Sequence, residues 1–137
     1  MIIVDTNVWS ELARPEPDGR VVAWEAAHAN DLWFCTIVLA EFRARAALLP
    51  AGKRRDAVTA GIEQIVLNYA DRILPFDDAC SKQYGPVLLS ARQAGRPIQA
   101  PDAMIAATAR ARGMKVATRD VGDFAGAGVD LINPWDG

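Results

Sequence analysis

Histidine and cysteine are scarce in this sequence of 137 residues, which contains one histidine and two cysteines. His28 has no accompanying motif for a serine or cysteine nucleophile, which argues against a hydrolase built on a catalytic triad. Cys35 and Cys80 lack the paired spacing of a zinc site, and two cysteines are too few for a disulfide framework. Any chemistry that this chain performs therefore has to come from its carboxylates.

Long hydrophobic runs are also missing, because no apolar stretch approaches the roughly 20 residues that span a membrane. An acid, Asp5, arrives before the apolar region of a signal peptide could form, so we expect a cytoplasmic protein with no membrane partner. The composition, with 51% hydrophobic and 23% charged residues, is ordinary for a soluble globular chain. The length predicts a single domain over residues 1–137.

A strong excess of positive charge is absent as well, since 15 basic residues stand against 17 acids and give a net charge of −2. The net charge alone therefore indicates no nucleic-acid partner. If four acids were bound to metal, 13 acids would remain against 15 basic residues, a balance of +2. Such a balance permits a partner that carries phosphate, without itself indicating one.

Short apolar runs alternate with longer segments of helical periodicity along the chain. The apolar run 2–4 ends in the polar residues 5–7, which is typical of a strand buried on both faces. We predict further strands at 32–35, 73–74, 115–118 and 129–132, with helices at 7–13, 20–29, 36–49, 53–69, 79–94 and 101–112. This alternation predicts a three-layer α/β domain with a mainly parallel sheet flanked by helices.

Two acids directly follow predicted strands. Asp5 stands at the carboxyl end of the first strand, where open α/β sheets place their ligands, although it could instead cap the next helix. Asp120 comes after the strand 115–118 in the same way.

Two further acids lie on predicted helices that follow strands or run beside the sheet. Glu41 falls within the apolar stripe 37, 41, 44 and 48 of a helix for which Thr36 is the predicted N-cap. The alternatives for Glu41 are a place at the edge of this stripe or a surface ion pair with Arg45. Asp102, at the second position of its helix, could be an acid that merely favours the helix dipole.

Parallel strands bring their carboxyl ends to one edge of a sheet, so these four acids could converge there. Several carboxylates within a few ångströms stay ionised together only when a positive charge sits among them. An all-oxygen site with open positions suits Mg²⁺ or Mn²⁺, which can promote hydrolysis of a phosphodiester. Thr6, Asn7 and Thr118 are placed to hydrogen-bond the carboxylates or the waters of the metal.

Four motifs in order along the chain resemble those of PIN-domain ribonucleases, and more narrowly the VapC/FitB-type toxins of type II toxin–antitoxin operons. The motifs are I-V-D-T-N-V at the start, T-x-x-x-A-E at Thr36–Glu41, P-D-A-x-I-A-A-x-A at Pro101–Ala109 and T-R-D-x-x-D-F at Thr118–Phe124. The resemblance covers essentially the whole chain, including the closing Asn-Pro-Trp. It implies a PIN-like fold.

The resemblance also implies a function. Asp5, Glu41, Asp102 and Asp120 would be the catalytic, metal-binding acids of an endoribonuclease, and Asp123 would be a further metal ligand. The substrate would be single-stranded or structured RNA. The toxin would form a homodimer, and a small antitoxin would silence it in a hetero-oligomer, often by placing an arginine among the acids.

Two alternatives remain open from the sequence. A phosphotransfer domain also carries acids at strand ends, but a hydrolase of that type needs an acid where this chain has Asn7, and a receiver needs a late lysine that Lys115 does not supply. A PIN-like module without catalysis, binding RNA or protein, is the non-enzyme alternative. The sequence does not choose which arginines would contact RNA among Arg14, Arg43, Arg45, Arg92, Arg96 and Arg119.

Overall fold

The sheet of the protein has five short strands, all parallel. The structure is a computed structural model and describes all residues, 1–137. The strands are β1 Ile2–Val4, β2 Leu32–Cys35, β3 Ile73–Leu74, β4 Lys115–Ala117 and β5 Leu131–Ile132. Their order across the sheet is β3-β2-β1-β4-β5, so β1 lies in the middle, between β2 and β4. The predicted parallel α/β sheet is therefore confirmed, and every one of its pairings is parallel.

Seven helices flank the sheet. They are α1 Thr6–Leu12, α2 Gly19–His28, α3 Thr36–Ala47, α4 Lys53–Asn68, α5 Asp78–Gln93, α6 Ala100–Arg112 and α7 Val121–Phe124. Short 3-10 turns lie at Ala29–Asp31 and Pro134–Asp136. Six of these helices begin and end within two residues of the predicted bounds, whereas α7 is a single turn that the sequence did not predict. No helix is both long enough and apolar enough to cross a membrane.

An aromatic cluster fastens α1 to the sheet. The ring of Trp9 stacks on that of Phe34 with 4.2 Å between centroids, and Tyr69 meets Trp9 edge-on. The indole N–H of Trp9 donates to the carbonyl of Val4 at 3.0 Å, so its one polar group is satisfied although the side chain is fully buried. This packing fixes the start of α1 against the end of β1.

The predicted buried stripe of α3 is wrong. The helix buries Val38, Leu39, Phe42 and Ala46, while Leu48 is 84% exposed. Helix α3 is therefore rotated away from the predicted orientation. Glu41 is half-buried at the border of the core face instead of lying within it.

The predicted N-cap of α3 is also wrong. Thr36 is the first helical residue and Cys35 occupies the cap position. The hydroxyl of Thr36 instead accepts a hydrogen bond from the backbone N–H of Phe76 at 3.1 Å, so it ties the start of α3 to the segment after β3.

Helix α6 packs closely through small residues. Ile105, Ala106 and Ala109 are fully buried on the face that the sequence predicted. The helix ends at Gly113, whose φ of 65° lies in the left-handed region that favours glycine. The chain then enters β4 at once, next to the central strand.

Candidate active site

The end of β1 is the centre of the candidate site. The backbone N–H of Asp5 donates to the carbonyl of Ala117 at 2.8 Å, which continues the pairing of β1 with β4. Its side chain accepts from the backbone N–H of Thr6 at 2.8 Å and caps α1. Asp5 thus combines both alternatives of the sequence analysis, since it caps the helix and also lines a surface cavity.

A network of hydrogen bonds holds the acids at the ends of β1 and β4. The fully buried hydroxyl of Thr118 donates to Asp5 at 2.8 Å. The side-chain amide of Asn7 donates to Asp120 at 3.0 Å and reaches Thr118 at 3.2 Å and Asp5 at 3.4 Å. Residues from opposite ends of the chain are therefore locked to each other at this edge of the sheet.

Helix α3 brings Glu41 to the same place. The hydroxyl of Thr6 donates to one carboxylate oxygen of Glu41 at 3.1 Å, which links α3 to α1. Glu41 forms no ion pair with Arg45, although both line one cavity. Its second carboxylate oxygen accepts no hydrogen bond from the protein.

Four of the predicted acids, Asp5, Glu41, Asp102 and Asp120, line one surface cavity of about 440 Å³, and Glu11 lines it as a fifth acid. Asp102 reaches it from the first turn of α6. Asp123, on α7, does not line the cavity. Its charge nevertheless acts on the site, because it contributes to raising the pKa of Asp5 and of Asp102. The structure therefore brings four of the five predicted acids together in one cavity, and the fifth, Asp123, lies outside its lining.

Burial and mutual repulsion raise the pKa of three of these acids. Burial is the main cause for Asp5, whose hydrogen bonds from Thr118 and Thr6 act in the opposite direction. Burial likewise raises the pKa of Glu41, with a smaller contribution from Asp5. For Asp102, burial and then the charges of the other acids raise the pKa to about 6. The ionised forms of these acids are therefore disfavoured in this cavity.

The donors of this cavity fit a hard divalent cation, because they are carboxylate oxygens that repel one another. A cation among them would relieve the repulsion that raises their pKa values. The side chains as they stand bring no three acids, histidines or cysteines close enough together to hold one ion. Mg²⁺ usually keeps several waters and is held by only one or two carboxylates, so a hydrated ion does not need three protein ligands at this cavity.

Sequence reasoning missed three residues of the cavity wall, Ser10, Glu11 and Trp135, whereas Arg14, Arg45 and Arg119 are among the six candidate RNA-binding arginines. Glu11 is 7% exposed, pairs with Arg14 at 3.2 Å and accepts from the backbone N–H of Asp18 at 3.0 Å. The helical spacing of Asn7, Ser10 and Glu11, three and four residues apart, was the available signal for a shared face of α1. No spacing or motif near Trp135 in the sequence indicates that it lines the cavity.

Comparison with known proteins identifies the family. The PIN domain family model matches residues 2–128, which is most of the chain. The chain belongs to the PIN-domain family. Its similarity to individual PIN proteins extends over nearly the full length of both chains.

The VapC ribonuclease Y4jK of Sinorhizobium fredii is 46% identical over 138 residues, with 99% of each chain covered. Toxin FitB of Neisseria gonorrhoeae is 43% identical over 137 residues, with 98% of this chain and 99% of the relative covered. The solved structure of FitAB bound to a DNA fragment is 44% identical, covers 98% of this chain and 96% of that one, and superposes with a TM-score of 0.91.

These matches confirm the resemblance to VapC/FitB-type proteins and the PIN-like fold that it implied. They give no support to a phosphotransfer domain. In this PIN domain the cavity lies at the carboxyl ends of β1 and β4 and beside the starts of α3 and α6, where ligands of open α/β sheets bind.

Proposed function

We propose that this PIN domain is a metal-dependent endoribonuclease toxin that hydrolyses RNA phosphodiester bonds. The observation that carries the proposal is the cavity in which acids from four separate parts of the chain meet, three of them with raised pKa values. The names of the similar proteins, VapC ribonuclease and toxin FitB, support the same activity.

Asp5, Glu41, Asp102 and Asp120 would hold Mg²⁺ or Mn²⁺, with Asp123 beside them. PIN-domain nucleases are generally dependent on divalent metal ions, and the all-oxygen donor set supports a hard ion. When bound, such an ion lowers the pKa of a coordinated water and stabilises negative charge that develops on the phosphate.

The protein groups around the acids orient them. Thr118 and the backbone of Thr6 fix both oxygens of Asp5, so this buried carboxylate keeps one orientation. Asn7 holds Asp120 against the end of β4. Glu41 keeps one carboxylate oxygen without a protein donor, so that oxygen is available to a metal ion or to a water molecule.

Partners are part of the proposal. The name toxin FitB and the structure of FitAB bound to DNA support a small antitoxin as partner of this chain, in a toxin–antitoxin hetero-oligomer. We further propose that the toxin is a homodimer and that it acts in the cytoplasm on cellular RNA.

Cleavage of a mixed pool of tRNA, rRNA and mRNA by purified protein, freed of any partner, tests this function. Wild type with Mg²⁺ is expected to give discrete fragments that disappear with EDTA and in Asp5→Asn. Fragments that persist in Asp5→Asn would point to another nuclease or another site. An intact pool, with metal binding retained, would favour the alternative, a PIN-like module that binds RNA or protein without cutting.

A further inference from the structure

The acidic cavity has a basic wall that the proposed cleavage chemistry leaves unassigned. Three of the six candidate RNA-binding arginines line it: Arg14, Arg45 and Arg119. Arg43 is committed elsewhere, since it forms two hydrogen bonds to Glu63 at 2.9 and 3.1 Å. Arg92 lines a different cavity, with Leu88 and Pro97. The structure thus reduces the six arginines that the sequence offered for RNA contact to the three that line the acidic cavity.

Arg119 is the cation of this wall that is both held in place and free of a carboxylate partner. Arg14 is neutralised by Glu11 at 3.2 Å. Arg45 is held by no aromatic ring and no carboxylate. The guanidinium carbon of Arg119 instead lies 4.9 Å from the ring centroid of Trp135, a cation–π geometry.

The contacts of Arg119 fix its backbone but give its guanidinium no carboxylate partner. Its backbone N–H donates to the side-chain oxygen of Asn7 at 3.2 Å, so its position is tied to the network around the acids. The charge of Arg119 contributes to lowering the pKa of Asp18. The Asp18 carboxylate is nevertheless paired with Arg20, which donates to both of its oxygens at 3.1 and 2.8 Å. Arg119 itself forms no ion pair.

An anion that enters a cavity lined by five acids is repelled unless a cation binds it. The guanidinium of Arg119 supplies that cation, because its contact with the ring of Trp135 keeps it at the wall instead of against the acids. A charged donor at the wall that has no carboxylate partner is free to donate to the oxygen atoms of an anion that enters the cavity.

We propose that Arg119 binds a phosphate of the RNA strand at the wall of the acidic cavity, and that Trp135 is the positioning residue that holds its guanidinium there. This inference rests on the proposed ribonuclease function and names how that site receives its substrate. The binding is to backbone phosphate, so it is independent of base sequence.

The test is the salt dependence of RNA binding in a protein that does not cut. In an Asp102→Asn background with EDTA, the affinity for a fluorescent single-stranded RNA of about 12 nucleotides is measured by anisotropy at several salt concentrations. Arg119→Ala is expected to lower affinity about fivefold and to reduce the slope of log affinity against log salt by about 0.7, the value for one phosphate contact on a single strand. Arg119→Lys keeps the charge and is expected to keep the slope.

Arg92→Ala is the matched control, because Arg92 is an exposed arginine that lines a different cavity. It is expected to leave affinity and slope unchanged. An unchanged slope in Arg119→Ala, an equal loss in Arg92→Ala, or no binding by the background protein at low salt would each overturn the inference.

Trp135 is tested by non-additivity. Trp135→Leu is expected to reduce affinity as Arg119→Ala does, and the double variant no further, because the ring acts only through the guanidinium. Trp135→Phe keeps an aromatic face and is expected to retain the affinity if its melting temperature matches wild type. Additive losses in the double variant would contradict the positioning role.

The two proposals fail separately. Cleavage of the RNA pool by wild type with an unchanged slope in Arg119→Ala would reject the role of Arg119 and leave the ribonuclease standing. No cleavage by wild type together with a reduced slope would reject the ribonuclease and leave a protein that binds RNA phosphate through Arg119.

Discussion

Asp102 is half-buried, and burial together with the charges of its neighbours raises its pKa to about 6. In the unfolded chain the same carboxyl has its ordinary pKa, 3.8. Folding therefore favours the protonated form of Asp102. The stability that this preference contributes is fully present below pH 3.8 and is lost as the pH rises through about 6.

We expect Asp102→Asn to gain stability relative to wild type as the pH rises. The amide carries no charge at any pH, so the variant avoids the repulsion that wild type acquires on ionisation. Because the side chain is half exposed and therefore screened, the relative gain between pH 4 and pH 8 is about 1 kcal/mol in the free energy of unfolding. Urea unfolding at both pH values, in EDTA, measures it.

The neighbouring acids also favour a gain in the stability of Asp102→Asn relative to wild type as the pH rises. Because the repulsion between Asp102 and these acids is mutual, removal of the Asp102 charge also eases the ionisation of Asp5 and Glu41, so the coupling does not reverse the sign of the effect. A difference between variant and wild type that is equal at both pH values would show that Asp102 ionises in the folded protein as it does in the unfolded one. The proposed electrostatic coupling within the cavity would then be wrong.

At the scale of the elements, the turn after α6 determines how the chain returns to the sheet. Gly113 has a φ of 65° and leads directly into β4, which pairs with the central strand. A side chain at this φ is strained, although the space around a Cβ is open. Glycine is therefore favoured at position 113 because of the backbone conformation, and not because a side chain would lack space.

Gly113→Ala is expected to lower the free energy of unfolding by about 1 kcal/mol. Gly61→Ala is the matched control, since Gly61 lies within α4 with ordinary helical backbone and equally open space. It is expected to raise stability by about 0.5–1 kcal/mol. Thermal or urea unfolding of both variants measures the difference. Destabilisation of the same size in both would mean that the loss at position 113 does not come from its positive φ.

Most of the strands could be predicted from the sequence because they are short apolar runs that end in polar residues, whereas β3 is ended by Pro75. The run at β1 predicted a strand buried on both faces, and all three of its residues are buried. For α3 the same reasoning failed. Its sequence is apolar on more than one side, so periodicity could not choose between the stripe with Ile37 and the face with Phe42.

The acids of the cavity could be suggested from the sequence for a topological reason. Strands β2, β1 and β4 are neighbours and parallel, so the segments after them meet at one edge of the sheet. The basic wall could not be found in this way. Trp135 comes after the last strand, and only the packing of the terminal 3-10 turn brings its ring under Arg119. That contact depends on the whole fold and not on spacing along the chain.

At the scale of the molecule, the protein has a net charge of −2 and concentrates acids at one edge of its sheet. Such a concentration weakens the folded state unless a cation binds there. Fold, charge and the proposed activity are therefore linked through one proposed event, the binding of a divalent ion by acids from four separate parts of the chain.

Calorimetric titration of Mn²⁺ into the metal-free protein tests that event most directly. We predict binding to wild type, an affinity at least about tenfold lower in Asp5→Asn and in Asp102→Asn, and an unchanged affinity in Asp71→Asn, an exposed acid outside the cavity. Equal affinities in all four proteins, or no binding to wild type, would contradict the proposed metal site.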